Sequence, residues 1–396
     1  MAFDNIVLLG GARTAFGDFG KSLRDVALSA MGAHVARATI RRSGVSASEI
    51  DHLVFGLVGV VDHDGPFISR KVALDAGLPI ESSALTVTRA CGSGTQSIVS
   101  AAEQIASGHS QIAIAAGGES FSRVPYVSRA MRYGAVRGPV TMEDGLDAIY
   151  RCPFSKALMG DTAEELAHRF GYRREAMDDW GFMSQQRAQA AIESGFLARQ
   201  IEPIDVPDGR KGTRSFAIDE YPRFNLTREK LATLKPAFKA DGTVTGGSSS
   251  GVTDGAAALV VARVDSLPVG ALPEARLVDY AVAGVPPEIM GAGPVPAIAK
   301  LLRQNGLTVA DIDYFEINEA FAVVNLHAEA QLGISREKTN LYGGGISIGH
   351  PPGATGIRMT ITAMHHLADT RGRYGVISMC LGSGMGMAVL IENLIR

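Results

Sequence analysis

Two kinds of apolar spacing alternate along the chain and predict alternating helices and strands. Between 92 and 107, the residues Ile98, Ala102 and Ile105 recur at intervals of three and four, which is typical of an amphipathic helix. The apolar run Ile-Ala-Ile-Ala-Ala then indicates a short buried strand at 111–116. Because strands and helices alternate in this way, the pattern favours an α/β fold with a mainly parallel sheet and helices on its faces.

The same pattern occurs twice, at an offset of 262 residues. Three matches in register indicate an internal duplication rather than chance. Two such copies predict a layered body with pseudo-two-fold symmetry. The matching segments are 44–51 with 306–313, 91–94 with 353–356, and 112–117 with 374–379.

Each copy is predicted to contain the same order of elements. In the first and second copies respectively, the elements are a helix (24–42; 294–305), a strand (52–58; 313–317), a further helix in each copy, a short strand (84–88; 341–347), a helix (92–107; 354–368) and a buried strand (111–116; 374–380). The second copy continues with another strand at 385–391.

Residues 120–247 have no counterpart in the second copy and are rich in arginine and lysine. We interpret them as a loop domain folded over the active face, since a basic cover suits a substrate whose phosphates lie far from its reactive end. A solvated charged surface is the alternative for any one of these side chains. The predicted domains are an N-terminal half at 1–119, completed by 248–270, the inserted loop domain at 120–247, and a C-terminal half at 271–396.

Two helices are predicted inside this loop domain. Asp161-Thr-Ala-Glu164 has the pattern of a capping box and precedes an apolar run, so it predicts a helix that starts at Asp161. A longer helix is predicted at about 175–194.

Composition narrows the class of protein. Of the 396 residues, 46% are hydrophobic and 20% are charged, which predicts a large core rather than disorder. A formal net charge of −3 argues against a general nucleic-acid binder, and no apolar run reaches the roughly 20 residues of a membrane span. Three cysteines and the lack of a signal or targeting pattern predict a cytoplasmic protein, where Cys91 and Cys380 stay free thiols.

Cys91 lies at a strand-to-helix junction in Thr-Arg-Ala-Cys-Gly-Ser-Gly. The positive end of the helix dipole and nearby N–H groups are expected to lower its pKa and favour a nucleophile. Gly92 and Gly94 let backbone N–H groups approach a bound carbonyl, as an oxyanion site requires. A buried structural cysteine is the alternative, but the position at a helix start favours the nucleophile.

Cys380 follows a predicted strand and precedes Leu381-Gly382-Ser383-Gly384, a turn that would expose its sulfur. A second thiol beside an activated one can remove a proton from the carbon next to a thioester carbonyl. A core cysteine on a buried strand is the alternative. The pair of thiols therefore indicates chemistry that joins or splits a carbon–carbon bond next to a thioester.

His350 and Asn318 complete the candidate constellation. His350 lies on a glycine-rich turn before Pro351-Pro352-Gly353 and could take the proton of Cys91 and hydrogen-bond a thioester oxygen. Asn318 is expected to lie at the start of a helix that begins at Glu319, where it would act as a helix cap. Its amide could also position a water or an enolate oxygen, and the two roles can coexist. Most histidines are surface or satisfied core groups, and no histidine pair has the spacing of a metal site, so no metal is assigned.

Taken together, these segments resemble the thiolase family, and the resemblance covers nearly the whole chain. It implies a duplicated five-layered α-β-α-β-α sandwich with an inserted loop domain, and a homodimer or homotetramer. Coenzyme A would be a substrate, with no cofactor. The matching segments are Cys-Gly-Ser-Gly at 91–94, Met-Gly-Asp-Thr-Ala-Glu at 159–164, Lys-Pro-Ala-Phe at 235–238, the glycine- and serine-rich segment at 242–251, Asn-Glu-Ala-Phe at 318–321, Gly-His-Pro-Pro-Gly-Ala-Thr-Gly at 349–356 and Cys-Leu-Gly-Ser-Gly-Met-Gly at 380–386.

The resemblance also implies a ping-pong cycle in lipid metabolism, such as fatty acid β-oxidation. Cys91, activated by His350, would take an acyl group from acyl-CoA, and Cys380 would remove the α-proton of acetyl-CoA. Asn318 would hold a water beside His350 in one oxyanion site, and the N–H groups of Cys91 and Gly382 would form another. By the family pattern, the contacts with CoA are Leu146, Met159, Arg223, Phe238, Ser250 and Phe321.

The chain departs from the family pattern at several positions. Ser248 stands where many relatives have asparagine, and Lys230 stands where some relatives have a serine near CoA. Pro352 stands where Leu, Ile or Phe is common, which could change the pocket wall. Leu158 precedes Met159 where acetoacetyl-CoA thiolases often have His, which favours a broader or longer 3-ketoacyl substrate. The alternatives are an acetoacetyl-CoA thiolase, a ketoacyl-synthase-like enzyme, disfavoured by Cys380, and a non-catalytic acyl-CoA-binding homologue.

Overall fold

The computed structural model describes residues 3–395. The strands are β1 (Ile6–Arg13), β2 (Gly17–Asp18), β3 (His52–Gly56), β4 (Ser83–Val87), β5 (Ile112–Glu119), β6 (Tyr126–Val127), β7 (Glu143–Asp144), β8 (Ile204–Pro207), β9 (Thr213–Phe216), β10 (Thr253–Arg263), β11 (Ala275–Gly284), β12 (Tyr314–Ile317), β13 (Tyr374–Leu381) and β14 (Met385–Asn393). The α-helices are α1 (Leu28–Ser43), α2 (Ile68–Asp75), α3 (Ser93–Ala106), α4 (Gly145–Ile149), α5 (Met159–Phe170), α6 (Arg174–Glu193), α7 (Arg228–Ala232), α8 (Pro294–Gln304), α9 (Ala322–Leu332), α10 (Gly345–Ile348) and α11 (Pro352–Thr370).

One ten-stranded sheet runs through both halves of the chain in the order β12-β13-β14-β11-β1-β10-β5-β3-β4, with β2 paired to β10. Strand β1 joins the halves, because it pairs with β10 on one side and with β11 on the other. The prediction of a mainly parallel sheet is wrong. Only the β3–β4, β3–β5 and β12–β13 pairs are parallel, since β10 and β14 run back antiparallel beside β5 and β13.

The two faces of the sheet belong to different cores, which produces the five layers. Along β10, Leu259 and Val261 pack with α3 and α11, whereas Val260 and Ala262 pack with α1 and α2. In the second half, β14 alternates in the same way between the central helices and the outer helices α8 and α9. The period-two alternation of apolar side chains thus places α3 and α11 in the middle, with a sheet half and an outer helix layer on each side.

The central helices α3 and α11 contact each other through glycines that the duplication relates. A Cβ at Gly94 would lie 2.5 Å from the carbonyl oxygen of Gly353, and one at Gly356 would lie 2.0 Å from Oγ1 of Thr95. Each helix therefore needs glycine where the other helix begins, because any side chain would push the pair apart. This close approach brings the segment after Cys91 next to the segment after His350.

Most predicted elements are present, with ends that differ by at most four residues, but three local predictions are wrong. The strand predicted at 341–347 is a turn followed by α10, since three consecutive glycines at 343–345 do not favour a strand. Helix α5 starts at Met159, so Asp161 is its third residue and accepts a 2.8 Å hydrogen bond from the N–H of Leu158. Asn318 does not begin a helix, because α9 starts only at Ala322.

Several basic side chains of the 120–247 segment have acidic partners. Four of these ion pairs are Arg123 with Asp62, Arg129 with Glu143, Arg151 with Asp147 and Arg228 with Asp179. For these four arginines the alternative interpretation, a charged surface, fits better than a phosphate-binding cover. The domain boundaries stay a prediction. Within residues 3–395, no helix combines the length and apolar character that crossing a bilayer requires.

Candidate active site

Cys91 sits on a tight turn between β4 and α3. Ala90 has a φ of 46°, which is unusual for a residue with a side chain and marks a strained backbone beside the thiol. The hydroxyl of Ser93 closes the turn, since it donates to the carbonyl of Ala90 at 2.8 Å and accepts from the N–H of Arg89 at 2.9 Å. The turn therefore holds Cys91 just ahead of the helix start, as the sequence predicted.

The electrostatics of Cys91 differ from the prediction. Burial raises the pKa of the thiol, although hydrogen bonds from the N–H groups of Gly382 and of Cys91 itself act in the opposite direction. The nearby carboxyl of Glu119 adds to the rise. The helix start does supply N–H donors, but removal from water outweighs them. Cys91 is therefore a thiol at rest and needs a base at the moment of attack.

His350 is the candidate for that base. The positions of its ring protons follow from its hydrogen-bond partners. Thr355 gives its hydroxyl proton to the carbonyl of Pro351 at 2.9 Å, so its oxygen accepts from Nδ1–H of His350 at 2.7 Å. Nε2 then carries a lone pair, towards which the side-chain nitrogen of Asn318 lies at 3.3 Å. Burial, with a smaller effect from Arg358, lowers the pKa of His350 to about 3, so the ring is neutral at rest.

We expect Thr355→Val to reduce acylation about 10- to 100-fold, because Nδ1–H loses its acceptor and the ring is free to adopt the other tautomer. The loss should fall on kcat rather than on KM, since Thr355 lines neither of the cavities described below. Pre-steady-state release of CoA measures it. Thr360→Val is the matched control: its hydroxyl is equally buried on α11 but bonds only the carbonyl of Gly356. Equal losses in both variants would contradict the role of Thr355.

Asn318 is 1% exposed, and its Oδ1 has no hydrogen-bond partner. The chain after it stays extended because it pairs with the serine-rich loop: Ser250 N–H donates to the carbonyl of Ala320, and Ala322 N–H to that of Ser248. This pairing explains why the predicted helix cap is wrong. An unpaired amide oxygen beside His350 is suited to accept a hydrogen bond from a water or a substrate group.

Two buried glutamates that the sequence analysis did not select hold the catalytic segments in place. Glu319 accepts from Trp180 Nε1 at 3.0 Å and Ser184 Oγ at 2.6 Å, both on α6, and from Asn340 Nδ2 at 3.1 Å. Glu119 accepts from the N–H groups of Val58, Gly59 and Gly353 at 2.8, 3.0 and 3.2 Å. Burial raises the pKa of Glu119 to about 8. The available signal for each was an acidic residue at or just beyond the end of a buried strand, since Glu119 ends β5 and Glu319 lies two residues after β12.

Cys380 lies near the end of β13 and is fully buried, so the prediction that the turn after it exposes its sulfur is wrong. Burial raises its pKa, and the charge of Cys91 raises it further. The segments that carry the two thiols are adjacent, because a Cβ placed on Gly382 would lie 3.8 Å from Cβ of Ala90. The turn after it carries Gly382, whose N–H reaches the sulfur of Cys91, and Ser383 at a φ of 75°. The structure therefore brings the two predicted thiols together, with Cys380 protonated at neutral pH.

Two cavities meet at this site. The reactive cavity has a volume of about 130 Å³ and includes Cys91, His350 and Gly382 in its lining. The larger cavity has a volume of about 370 Å³. The two share the lining residues Tyr150, Met159, Ser250 and Phe321, so a molecule in the larger cavity can extend to Cys91.

Of the six predicted contacts with CoA, five line the larger cavity: Leu146, Met159, Phe238, Ser250 and Phe321. Arg223 lines neither cavity. Its N–H donates to Gln185 Oε1 at 2.8 Å, and its guanidinium lies 5.4 Å from the ring of Tyr221, so its contact with a nucleotide stays a prediction. Tyr150 lines both cavities and was not selected, because nothing in its local sequence distinguishes it from a core aromatic.

The low pKa of His350 predicts the pH dependence of acylation. An ordinary histidine would lose its base function below about pH 6.5, whereas His350 keeps the Nε2 lone pair down to about pH 3. We therefore expect no acid-side loss of the acylation rate between pH 8 and 5 that titrates near 6.5. Rapid-mixing measurement of CoA release across this range, with a stability check at each pH, tests it. A loss centred near pH 6.5 would contradict the neutral, buried ring.

Cys91 and His350 line the reactive cavity, whereas Cys380 is buried on β13 and lines neither cavity. A layered, duplicated α/β body with a thiol and a neutral imidazole in one cavity, and a second thiol on the adjoining strand, defines an acyl-transferring enzyme that works through a covalent thioester. The comparisons with known proteins agree. The family model for the N-terminal domain of thiolase matches residues 6–265, and that for the C-terminal domain matches residues 271–393. The chain belongs to the thiolase family and is an acyltransferase.

Individual relatives match over nearly the full length. The chain is 43% identical over 391 residues to the beta-ketothiolase BktB of Cupriavidus necator, covering 98% of this chain and 99% of that protein. The crystal structure of human mitochondrial 3-ketoacyl-CoA thiolase in complex with CoA matches with a TM-score of 0.94 at 38% identity, covering 98% of each chain. The Bacillus anthracis acetyl-CoA acetyltransferase matches with a TM-score of 0.95 at 39% identity, covering 99% of each chain.

Proposed function

We propose that this thiolase cleaves 3-ketoacyl-CoA with free CoA into acyl-CoA and acetyl-CoA, and runs the Claisen condensation in reverse, through an acyl group on Cys91. The observation that carries the proposal is the meeting of Cys91, His350 and the Gly382 N–H in one cavity, with the thiol of Cys380 beside Cys91. A non-catalytic homologue has no need for two interacting thiols and a neutral base at one point.

In the cleavage direction, Cys91 attacks the 3-keto carbon as its proton passes to Nε2 of His350. The N–H groups of Cys91 and Gly382, or His350 with a water held by Asn318, stabilise the oxyanion. The bond between the second and third carbons then breaks, and the departing acetyl-CoA carbanion takes the proton of Cys380. Because the pKa of Cys380 is raised, it carries that proton at neutral pH.

Free CoA completes the cycle. The imidazolium of His350 first returns its proton to the thiolate of Cys380. The sulfur of CoA then attacks the acyl-Cys91 thioester and gives its proton to Nε2 of His350. The thiolate of Cys91 leaves and takes that proton from the imidazolium. Every group then returns to its starting state, which a ping-pong cycle requires.

We assign the pantetheine arm of CoA to the larger cavity. Leu146, Met159, Phe238 and Phe321 supply an apolar wall, and Ser250 supplies a hydroxyl. The shared opening at Tyr150 and Met159 would deliver the thioester to Cys91. Arg223 is proposed to face the nucleotide. Its backbone N–H donates to Gln185, which holds its segment against α6.

Loss of 3-ketoacyl-CoA, followed at the absorbance of its magnesium enolate with and without free CoA, tests the proposed function. We expect loss only when CoA is present, with acetyl-CoA and the shortened acyl-CoA as products in equal amounts. Substrates from C4 to C16 should be examined. The absence of CoA-dependent loss at every chain length would favour an acyl-CoA-binding protein instead.

A homodimer, or a homotetramer built from it, is proposed as the assembly. Strand β4 forms an end of the main sheet and exposes 38% of Leu85, while Ile80 just before it is 67% exposed. An open strand edge with apolar side chains favours pairing with a second copy. The molar mass in solution, measured by light scattering, tests this.

A cytoplasmic location and a part in lipid metabolism belong to the same proposal. The chemistry requires Cys91 and Cys380 as thiols, and a reducing compartment keeps them so. The three cysteines are unpaired in the structure. Fractionation of cells that produce the protein tests the location.

A further inference from the structure

The reactive cavity continues beyond Cys91 into a space with apolar walls. Some of its lining residues are absent from the larger cavity, and these form the part that a CoA thioester would reach last. They come from both halves of the chain and from the inserted segment. The larger apolar members are Val58, Phe121, Ile149, Met290 and Pro352, beside the small Ala90 and Ala320 and one charged residue, Arg151.

These walls are well supported by their neighbours. Phe121 and Met290 are each 1% exposed, and the ring of Phe121 lies 5.8 Å from that of Tyr150 at an angle of 56°. Cδ1 of Ile149 would lie 3.3 Å from a Cβ placed on Gly59, so α4 contacts the loop that follows β3. The space is therefore bounded by packed side chains rather than open to solvent on every side.

Resting on the proposed function, we infer that Val58, Phe121, Ile149, Met290 and Pro352 form the acyl-chain pocket, and that it takes acyl groups of about four to five carbons. The whole reactive cavity, including the space at Cys91 and His350, has a volume of about 130 Å³, and the acyl group on Cys91 fills it from its carbonyl carbon onwards. A cavity of about 150 Å³ holds benzene, with six carbons, which corresponds to about 25 Å³ per carbon. The preferred substrates are then 3-ketoacyl-CoAs of six to seven carbons, two more than the acyl group.

Chain length should affect the rate in two phases. Each methylene that enters the apolar pocket should raise kcat/KM by about fourfold, the factor expected for burying one CH₂. Beyond about five acyl carbons, the chain must displace Phe121, Ile149 or Met290 from close packing, and kcat/KM should fall. The pocket thus favours acyl groups longer than acetyl but excludes long chains.

Measurement of CoA-dependent cleavage from C4 to C16 tests the inference. We expect a maximum at C6 to C7, with a decrease of at least tenfold by C12. If no substrate is cleaved, the proposed function itself fails. If cleavage occurs but the rate is flat or rises towards C16, the function stands and the inferred pocket limit is overturned.

Two variants should move the limit in opposite directions. Ile149→Ala removes three carbons from the wall and should raise the ratio of kcat/KM for 3-ketodecanoyl-CoA over 3-ketohexanoyl-CoA at least tenfold. Pro352→Leu enlarges the wall at the first position of α11, where a non-proline residue is tolerated, and should shift the maximum towards C4. Using ratios within one variant separates pocket size from partial loss of folding.

Ile218→Ala is the matched control for Ile149→Ala. It removes the same three carbons from the inserted segment, but Ile218 is 60% exposed and lines neither cavity. Its ratio should equal that of the unchanged protein. If Ile149→Ala leaves the ratio unchanged, or if Ile218→Ala raises it equally, the assignment of Ile149 to the acyl-chain pocket is wrong.

Discussion

Replacement of Cys91 by serine is expected to abolish the covalent acyl-enzyme and to lower turnover by a factor on the order of 10⁴ to 10⁶. A hydroxyl is a far weaker nucleophile than a thiol, and His350, whose pKa is about 3, is too weak a base to compensate. The Gly382 N–H remains in place, so the variant should still bind acyl-CoA. The expected change is therefore in acylation rather than in affinity.

The intact mass of the protein after incubation with acyl-CoA measures this directly. The unchanged protein should gain one acyl group, and Cys91→Ser should gain none. Cys152→Ser is the control, because Cys152 is a third cysteine that is buried and lines neither cavity. An acyl group found on Cys91→Ser at another residue would end the assignment of Cys91 as nucleophile.

Cys380→Ser is expected to separate the two half-reactions. Acylation of Cys91 should proceed, since Gly382, His350 and the Cys91 turn do not require the Cys380 sulfur. Proton transfer to or from the α-carbon of acetyl-CoA should fall by about 10² to 10⁴, the usual contribution of a positioned acid or base. Overall cleavage and condensation should fall by the same factor.

Two measurements distinguish this outcome from general damage. Mixing with acyl-CoA should release one equivalent of CoA per Cys380→Ser site and then stop. Exchange of the acetyl-CoA α-protons in D₂O, followed by NMR, should occur with the unchanged protein and be lost in the variant. A Cys380→Ser protein that cannot be acylated would show that our division of roles between the thiols is wrong.

The duplicated pattern was the most reliable guide to the fold. An apolar repeat at a fixed offset predicts helices and strands in both copies, because burial and periodicity are local properties of the chain. Strand direction was less predictable. The antiparallel placement of β10 depends on residues 253–263 returning beside β5 after the long inserted segment, which no local pattern encodes.

The candidate site was predictable where a residue type and its glycine-rich setting imply chemistry, as for Cys91, His350 and Cys380. Their electrostatics were not. The sign of the pKa shift at Cys91 depends on how much water the surrounding side chains exclude, and the partner of His350 Nδ1 is fixed by the hydroxyl of Thr355. Such properties arise only when distant segments meet. The walls of the acyl-chain pocket were unpredictable for the same reason.

Strand β1 is hydrogen-bonded to both halves, and this determines when the main sheet can form. It leaves the ribosome well before its neighbours β10 and β11, which begin only at Thr253 and Ala275. The apolar strand β1 therefore lacks its partner strands during most of translation. This exposes the nascent chain to misassembly and to chaperone binding. A ribosome-stalled chain that ends before residue 253 should therefore remain protease-sensitive at its N-terminal strand.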